Sequence, residues 1–183
     1  MTLSYESGPA AEAFDVSLFR QWMKLSFTDD DALILSLAKS ARCLIEAYSG
    51  LILFSQTWRL VLDHWPQDRF IPLKPRPFTR LLEASVAPAT GAAVSVLSSL
   101  TYDFERQGLR VAASVLQPGS SSNGIQLRLI FGAETVDAVD PILRHALFNL
   151  VTQFYFNRGD EVKALIPASI RDELDQLRIR RLA

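Results

Sequence analysis

Thr28 to Gly50 reads TDDDALILSLAKSARCLIEAYSG, and the chain is organised around it. Leu33, Leu37, Ala41, Leu44 and Tyr48 recur at steps of four, four, three and four, which places them on one face of a helix. Ile34, Ala38 and Ile45 widen that face, so the helix is expected to pack on a broad front. Thr28 and the aspartates Asp29, Asp30 and Asp31 can accept orphan amide protons and complement the positive end of the helix dipole. Gly50 marks the end, because glycine takes the left-handed conformation that follows a last helical residue at no steric cost.

On the amino-terminal side, Val16, Leu18, Phe19, Trp22, Met23 and Leu25 predict a short helix capped by Asp15 or Ser17. With Phe27 leading into the central helix, residues 14–50 read as a helical hairpin. Residues 1–13 are small and polar and read as a flexible arm. Beyond Gly50 the pattern changes. Phe54 to Leu62 is rich in strand formers, Ile71 to Leu73 is a short extended piece, and Lys74-Pro75-Arg76-Pro77 excludes helix because each proline removes a donor. Phe78–Val86, Ala92–Leu97, Leu100–Glu105 and Leu109–Ala112 read as strands, with a turn at Gln107-Gly108. Gln117 to Gly124 is loop by composition. Ile125 to Phe131 alternates, with Ile125, Leu127, Leu129 and Phe131 on one face and Gln126 and Arg128 on the other.

Helical spacing returns at Asp140-Pro141, a cap followed by proline at the first helical position. Leu143, Leu147, Leu150 and Phe154 form one stripe, and Phe148, Val151 and Tyr155 form a second. A last amphipathic segment runs from Ser169 to Arg181, with Ile170, Leu174 and Leu177 inside. The predicted architecture is a single α+β domain over residues 1–183. It is mainly a helical bundle of about four helices, with an antiparallel β-rich segment over 51–132 inserted between the second and third long helices and C-terminal helices over 139–183.

The chain has 183 residues, 49% hydrophobic and 21% charged, with a formal net charge of −1. That composition belongs to a globular protein with no global attraction to nucleic acid or acidic surfaces. The lone Cys43 excludes an intrachain disulfide and a cysteine zinc cluster, and its place in the central helix predicts a small buried thiol. No apolar run approaches the ~20 residues that cross a bilayer, and the first residues carry no signal-peptide pattern, so synthesis in the cytoplasm is expected.

Chemistry-bearing patterns are sparse. His64 and His145 lack partners at metal-ligand spacing, and Asp29 to Asp31 does not match a calcium loop. No GxxxxGK, GxGxxG or GxSxG occurs. Trp22, Trp58 and Trp65 read as core or interface anchors. No catalytic residue, cofactor or metal is assigned. A small hydrolase using Glu83, Asp103 or Glu105 as acid and base, and a free-standing protein- or nucleic-acid-binding module, are the alternatives from other classes. Basic side chains gather at Lys74, Arg76 and Arg80, and again at Arg171, Arg178, Arg180 and Arg181.

The order of elements resembles the head–tail connector, or adaptor, proteins of long-tailed bacteriophages and phage-derived gene transfer agents. The matching residues are Glu46, Ala47, Tyr48 and Gly50 at the end of the central helix, then Gln56-Thr57-Trp58 in the strand after it. The proline-rich IPLKPRPF and the strand IQLRLIFG follow. Last come Pro141, Leu143, Arg144, Ala146 and Leu147, with Tyr155, Asn157 and Arg158 closing that helix. The similarity spans roughly Phe14 to Asp160 and consists of packing residues; YDFERQG and SSSNG depart from it. The resemblance implies a structural subunit of a ring of twelve, docked under the portal protein, extending the channel for double-stranded DNA and meeting a tail-side neck or terminator protein. It implies the neck of a virion or phage-like particle as location, no enzyme activity and no membrane. Portal contact is expected of Arg171, Arg178, Arg180 and Arg181. Contact with a neighbouring subunit or the tail is expected of Lys74, Arg76, Arg80, Ser120, Ser121 and Ser122.

Overall fold

The computed structural model describes residues 1–9, 14–119, 122–157 and 166–177. In chain order it contains β1 (Thr2–Ser7), α1 (Val16–Met23), α2 (Asp31–Ser49), β2 (Gln56–Leu62), β3 (Phe70–Pro72), β4 (Phe78–Val86), β5 (Val94–Ser95), β6 (Leu100–Asp103), β7 (Gly108–Val111), β8 (Ile125–Phe131), α3 (Pro141–Phe156) and α4 (Ala168–Leu177). The chain divides into two compact units. One is drawn from Met1–Gly8 and Ser55–Gly132, the other from Pro9–Phe54 and Ala133–Ala183.

The helical unit follows from capping and periodicity. The Asp15 carboxylate accepts from the Leu18 amide and starts α1, and the Asp140 carboxylate accepts from the Ile142 amide with Pro141 at the first turn of α3. Gly50, at φ 76°, ends α2 with its amide donating to the Glu46 carbonyl. The buried line of α2 is Ile34, Ala38, Ala41, Arg42, Ile45 and Ser49. Leu33, Leu37, Leu44 and Tyr48 therefore flank the centre of the packed face rather than form it. The apolar members of that line join Leu143, Ala146, Leu147, Leu150 and Val151 of α3 and Ile170 and Leu174 of α4 in one core.

Two local expectations are corrected here. Asp30 is the N-cap residue of α2, yet its side chain makes no cap hydrogen bond; it accepts instead from the Tyr155 hydroxyl. A tertiary acceptor role has displaced a local one. Cys43 is exposed, not buried, because it lies on the side of α2 away from Ala41 and Ile45.

The strand unit holds two antiparallel sheets, one ordered β1-β2-β8-β4-β5 and the other β3-β7-β6. β8 sits at the centre of the larger sheet, with Leu129 opposite Trp58 of β2 and Leu81 of β4. Its inward residues Ile125, Leu127, Leu129 and Phe131 are all fully buried. On the other face Arg128 bonds Glu6 at 3.1 Å and Glu83 at 2.7 Å, which ties β1, β8 and β4 together. Gly108 begins β7 where no side chain fits: a Cβ would run into both the Ile71 carbonyl and the Phe70 ring.

The expectation of a mainly helical bundle is overturned. Among the described residues helices take up 36% and strands 28%, in an α+β fold with two antiparallel sheets. Long apolar helices signal strongly in a sequence, whereas strands of two to nine residues signal weakly, so a reading by periodicity overweights the helices. The flexible arm is also corrected over Thr2–Ser7, which pairs with β2 in the register Leu3↔Leu60 and Tyr5↔Trp58. TLSYES has too few strand formers to announce itself. It is ordered by the open edge of β2, by the Tyr5–Trp58 edge-to-face contact at 5.7 Å and by the Glu6–Arg128 bond.

Candidate interaction surfaces

The sequence-derived basic candidates fall in both units. Lys74 is exposed and Arg76 half-buried in the segment between β3 and β4, and Arg80 is exposed on β4 opposite Ile130. Arg171 is exposed in the first turn of α4, its amide donating to the Pro167 carbonyl. Ser122 is exposed. Ser120, Ser121, Arg178, Arg180 and Arg181 lie outside the described residues. Of the carboxylates weighed as acid and base, Glu83 is engaged with Arg128, and Asp103 is built into a turn. Among the described residues no group of three His, Cys, Asp or Glu side chains is placed to hold a metal, and no helix is long and apolar enough to cross a membrane.

The turn that holds Asp103 presents a large apolar side chain to solvent. The β6–β7 hairpin places Phe104 at its tip, 78% exposed. One Asp103 oxygen accepts from the Glu105 amide at 3.1 Å and the Arg106 amide at 2.9 Å, and the other accepts from Arg110 Nε at 2.7 Å. The Tyr102 hydroxyl donates to Gln107 Oε1 at 3.0 Å, and Gln107 takes a φ of 54° to close the turn. Behind the tip, rings stack inward: Phe104 edge-on to Tyr102 at 4.8 Å, Tyr102 over Phe78 at 4.4 Å, Phe78 edge-on to Phe131 at 6.0 Å. The Arg106 guanidinium lies 3.9 Å from the centre of the Phe70 ring. The tip is therefore braced from below and from the side.

The Arg106 amide, then the Arg110 side chain, hold the Asp103 carboxyl below its usual value of 3.8. A depressed carboxyl stabilises the folded turn while ionised. That contribution is present above 3.8 and is lost as pH falls through the lowered folded value. An NMR titration of the Asp103 carboxyl is expected to give a midpoint below 3.8, with the Glu105 and Arg106 amide shifts moving in step. A midpoint at or above the ordinary value contradicts this geometry.

The helical unit carries a second surface, an apolar groove of about 330 Å³ between α1 and α3. Phe14, Leu18 and Trp22 line one wall and Pro141, Leu147 and Phe148 the other. Phe148 is its hub, with ring centres 5.1 Å from Phe14, 5.5 Å from Phe19 and 6.0 Å from Trp22. Trp22 and Leu18 are about half exposed, at 50% and 48%. Three polar groups edge the groove: Asp15, Arg144 and His145. The Ser17 hydroxyl, then the Leu18 amide, lower the Asp15 carboxyl from its usual value. Arg144 lies 3.5 Å from the exposed Asp137, and His145 Nδ1 lies 3.2 Å from Glu173.

Sequence reasoning alone misses both surfaces. Trp22 reads as an anchor, but nothing local pairs it with Phe148, which is more than a hundred residues away. Phe104 carries a readable signal: an aromatic residue where a hairpin turn is normally polar.

The sequence matches no protein-family model and no curated protein. The fold does match solved structures over essentially the whole length of both chains. A chain in the virion of a native gene transfer agent particle superposes with a TM-score of 0.80 at 21% identity, covering 100% of this chain and 98% of that one. A chain in the neck of the native particle, computed with C12 symmetry, gives 0.78 at 22% identity, and one in the neck of the empty particle, computed with C6 symmetry, gives 0.76 at 23%, both with the same coverage.

Proposed function

We propose that the protein is a structural neck component of a phage-like particle of the gene transfer agent type: an adaptor subunit that joins other copies in a ring beneath the portal. The single observation that carries this reading is the match in fold, end to end on both chains, to chains from the neck of such particles. The C12 and C6 symmetries of those neck structures support a ring, twelve subunits being the number they suggest. The near-neutral net charge suits a channel that lets double-stranded DNA pass without holding it, since tight binding needs clustered cations to displace counterions.

In this reading Arg171, Arg178, Arg180 and Arg181 meet the portal protein. Lys74, Arg76, Arg80, Ser120, Ser121 and Ser122 meet a neighbouring subunit or the tail-side neck protein. The role is one of assembly and not of catalysis. The test is cryo-microscopy of particles from producing cells, with and without the gene. The expected result is a ring of density under the portal in the parent and tailless heads in the deletion. Intact, tailed particles from the deletion strain overturn the proposal.

A further inference from the structure

We propose that Phe104, at the β6–β7 hairpin tip of one copy, seats in the α1–α3 groove of a second copy of this chain. The proposal deepens the ring reading above and rests on it for closure of the ring, while the contact itself is read from the two surfaces.

The tip has the properties of an interface anchor. Phe104 is 78% exposed, yet the turn beneath it is held by three hydrogen bonds to Asp103 and by the Tyr102–Phe78 stack. A side chain already fixed in place loses little freedom on docking, and buried aromatic anchors dominate binding energy. The groove has the matching properties. Its 330 Å³ is about ten times the ~30 Å³ share of one water, room for a phenyl ring and its flanking backbone. Phe148 and Trp22 offer ring edges and faces for a T-shaped or offset contact.

Charge selects the occupant. Glu105 and Arg106 follow Phe104, and both are exposed. The groove edge carries Arg144 and His145 at one place and Asp15 at another. Arg106 is held by the Phe70 ring and Asp68. Glu105, next to the anchor, meets the guanidinium of Arg144, whose 3.5 Å pair with the fully exposed Asp137 leaves it open to a second carboxylate; a plain apolar peptide brings no such charge. Tip and groove are different surfaces of one chain, so the contact is heterologous. Such contacts propagate from copy to copy and close into rings when the rotation allows.

The test uses the full chain with Phe104→Glu in one variant and Trp22→Glu in another. Trp22 is half exposed, so its replacement leaves the core in place; unchanged melting curves check this for both. Sedimentation velocity at rising concentration is expected to show parent oligomers and monomers for each variant alone. Mixed in equal amounts, the variants are expected to form a dimer and nothing larger, because each pair retains one intact tip and one intact groove. Capture by disulfide adds a readout that needs only transient contact. In a Cys43→Ser background that keeps Phe104, Glu105→Cys with Leu18→Cys is expected to cross-link between copies roughly tenfold faster than Glu105→Cys with Ser36→Cys on the exposed side of α2, since docking of the Phe104 ring raises the effective concentration of the matched pair. Parent-like oligomers from Phe104→Glu, no dimer in the mixture, or equal cross-linking of the two pairs overturns the contact. Rings that persist in Phe104→Glu would refute this contact and leave the neck role standing. Failure to find the protein in particles would refute the neck role and leave the capture result to decide the contact alone.

Discussion

Leu150→Asp is expected to abolish the cooperative thermal transition of the purified chain and to leave most of it in the insoluble fraction. Leu150 is fully buried in the apolar core of the helical unit, together with Ile34, Ala38 and Ile45 of α2 and Ile170 and Leu174 of α4. Removing the leucine alone costs about 2–5 kcal/mol through lost burial and the cavity left behind. The carboxylate adds the penalty of a polar group with no partner, about 1–3 kcal/mol and more if it stays charged. Together these come to about 3–8 kcal/mol before any penalty for a retained charge, enough to exhaust the stability of a domain in the lower part of the usual range of about 5–15 kcal/mol. Leu150→Ala is the control: it loses the first contribution only and is expected to stay folded with a lowered melting point. A soluble Leu150→Asp chain melting near the parent would mean that α3 does not pack as described.

Phe131→Ala is the second large effect, and it reaches further than its own position. Phe131 is fully buried at the end of the central strand β8, opposite Gln56 of β2 and Phe78 of β4. Truncating it costs about 3–5 kcal/mol, which for a chain of this length lowers the melting point by roughly 6–20 °C. It also removes the ring against which Phe78 rests, and Phe78 supports Tyr102 beneath the Phe104 tip. Faster amide exchange at Glu105 and Arg106 is therefore expected alongside the lower melting point. Arg128→Ala, by contrast, loses only exposed ion pairs with Glu6 and Glu83, and its effect is expected to stay within about 1 kcal/mol. If Arg128→Ala proved the more damaging of the two, the strand unit would owe its stability to surface charge and not to its buried face.

The elements legible from residue order are those in which local chemistry and burial agree. β4 and β8 run over the residues predicted for them, and Asp15, Asp140 and Gly50 cap the helices their positions predict. Asp30 shows the opposite case. Its position reads as a cap, yet its carboxylate serves Tyr155, 125 residues further along the chain. Arg42 is another: a charged residue in a helix reads as solvated, yet it is 5% exposed and paired with Glu46 at 2.8 Å.

Order along the chain, the two changes of periodicity near residues 50 and 140, and the want of any recognisable reactive motif are all present in the string of residues, because capping and amphipathic spacing act over about four residues or fewer. Contacts between distant segments set the rest. TLSYES is a strand because the edge of β2 was open to it, Cys43 faces solvent because Ala41 and Ile45 face the core, and the α1–α3 groove exists because Phe148 reaches Trp22 and Phe14 across the sequence. A pattern of neighbours cannot encode which remote surface will come to lie against it; only the packed chain does.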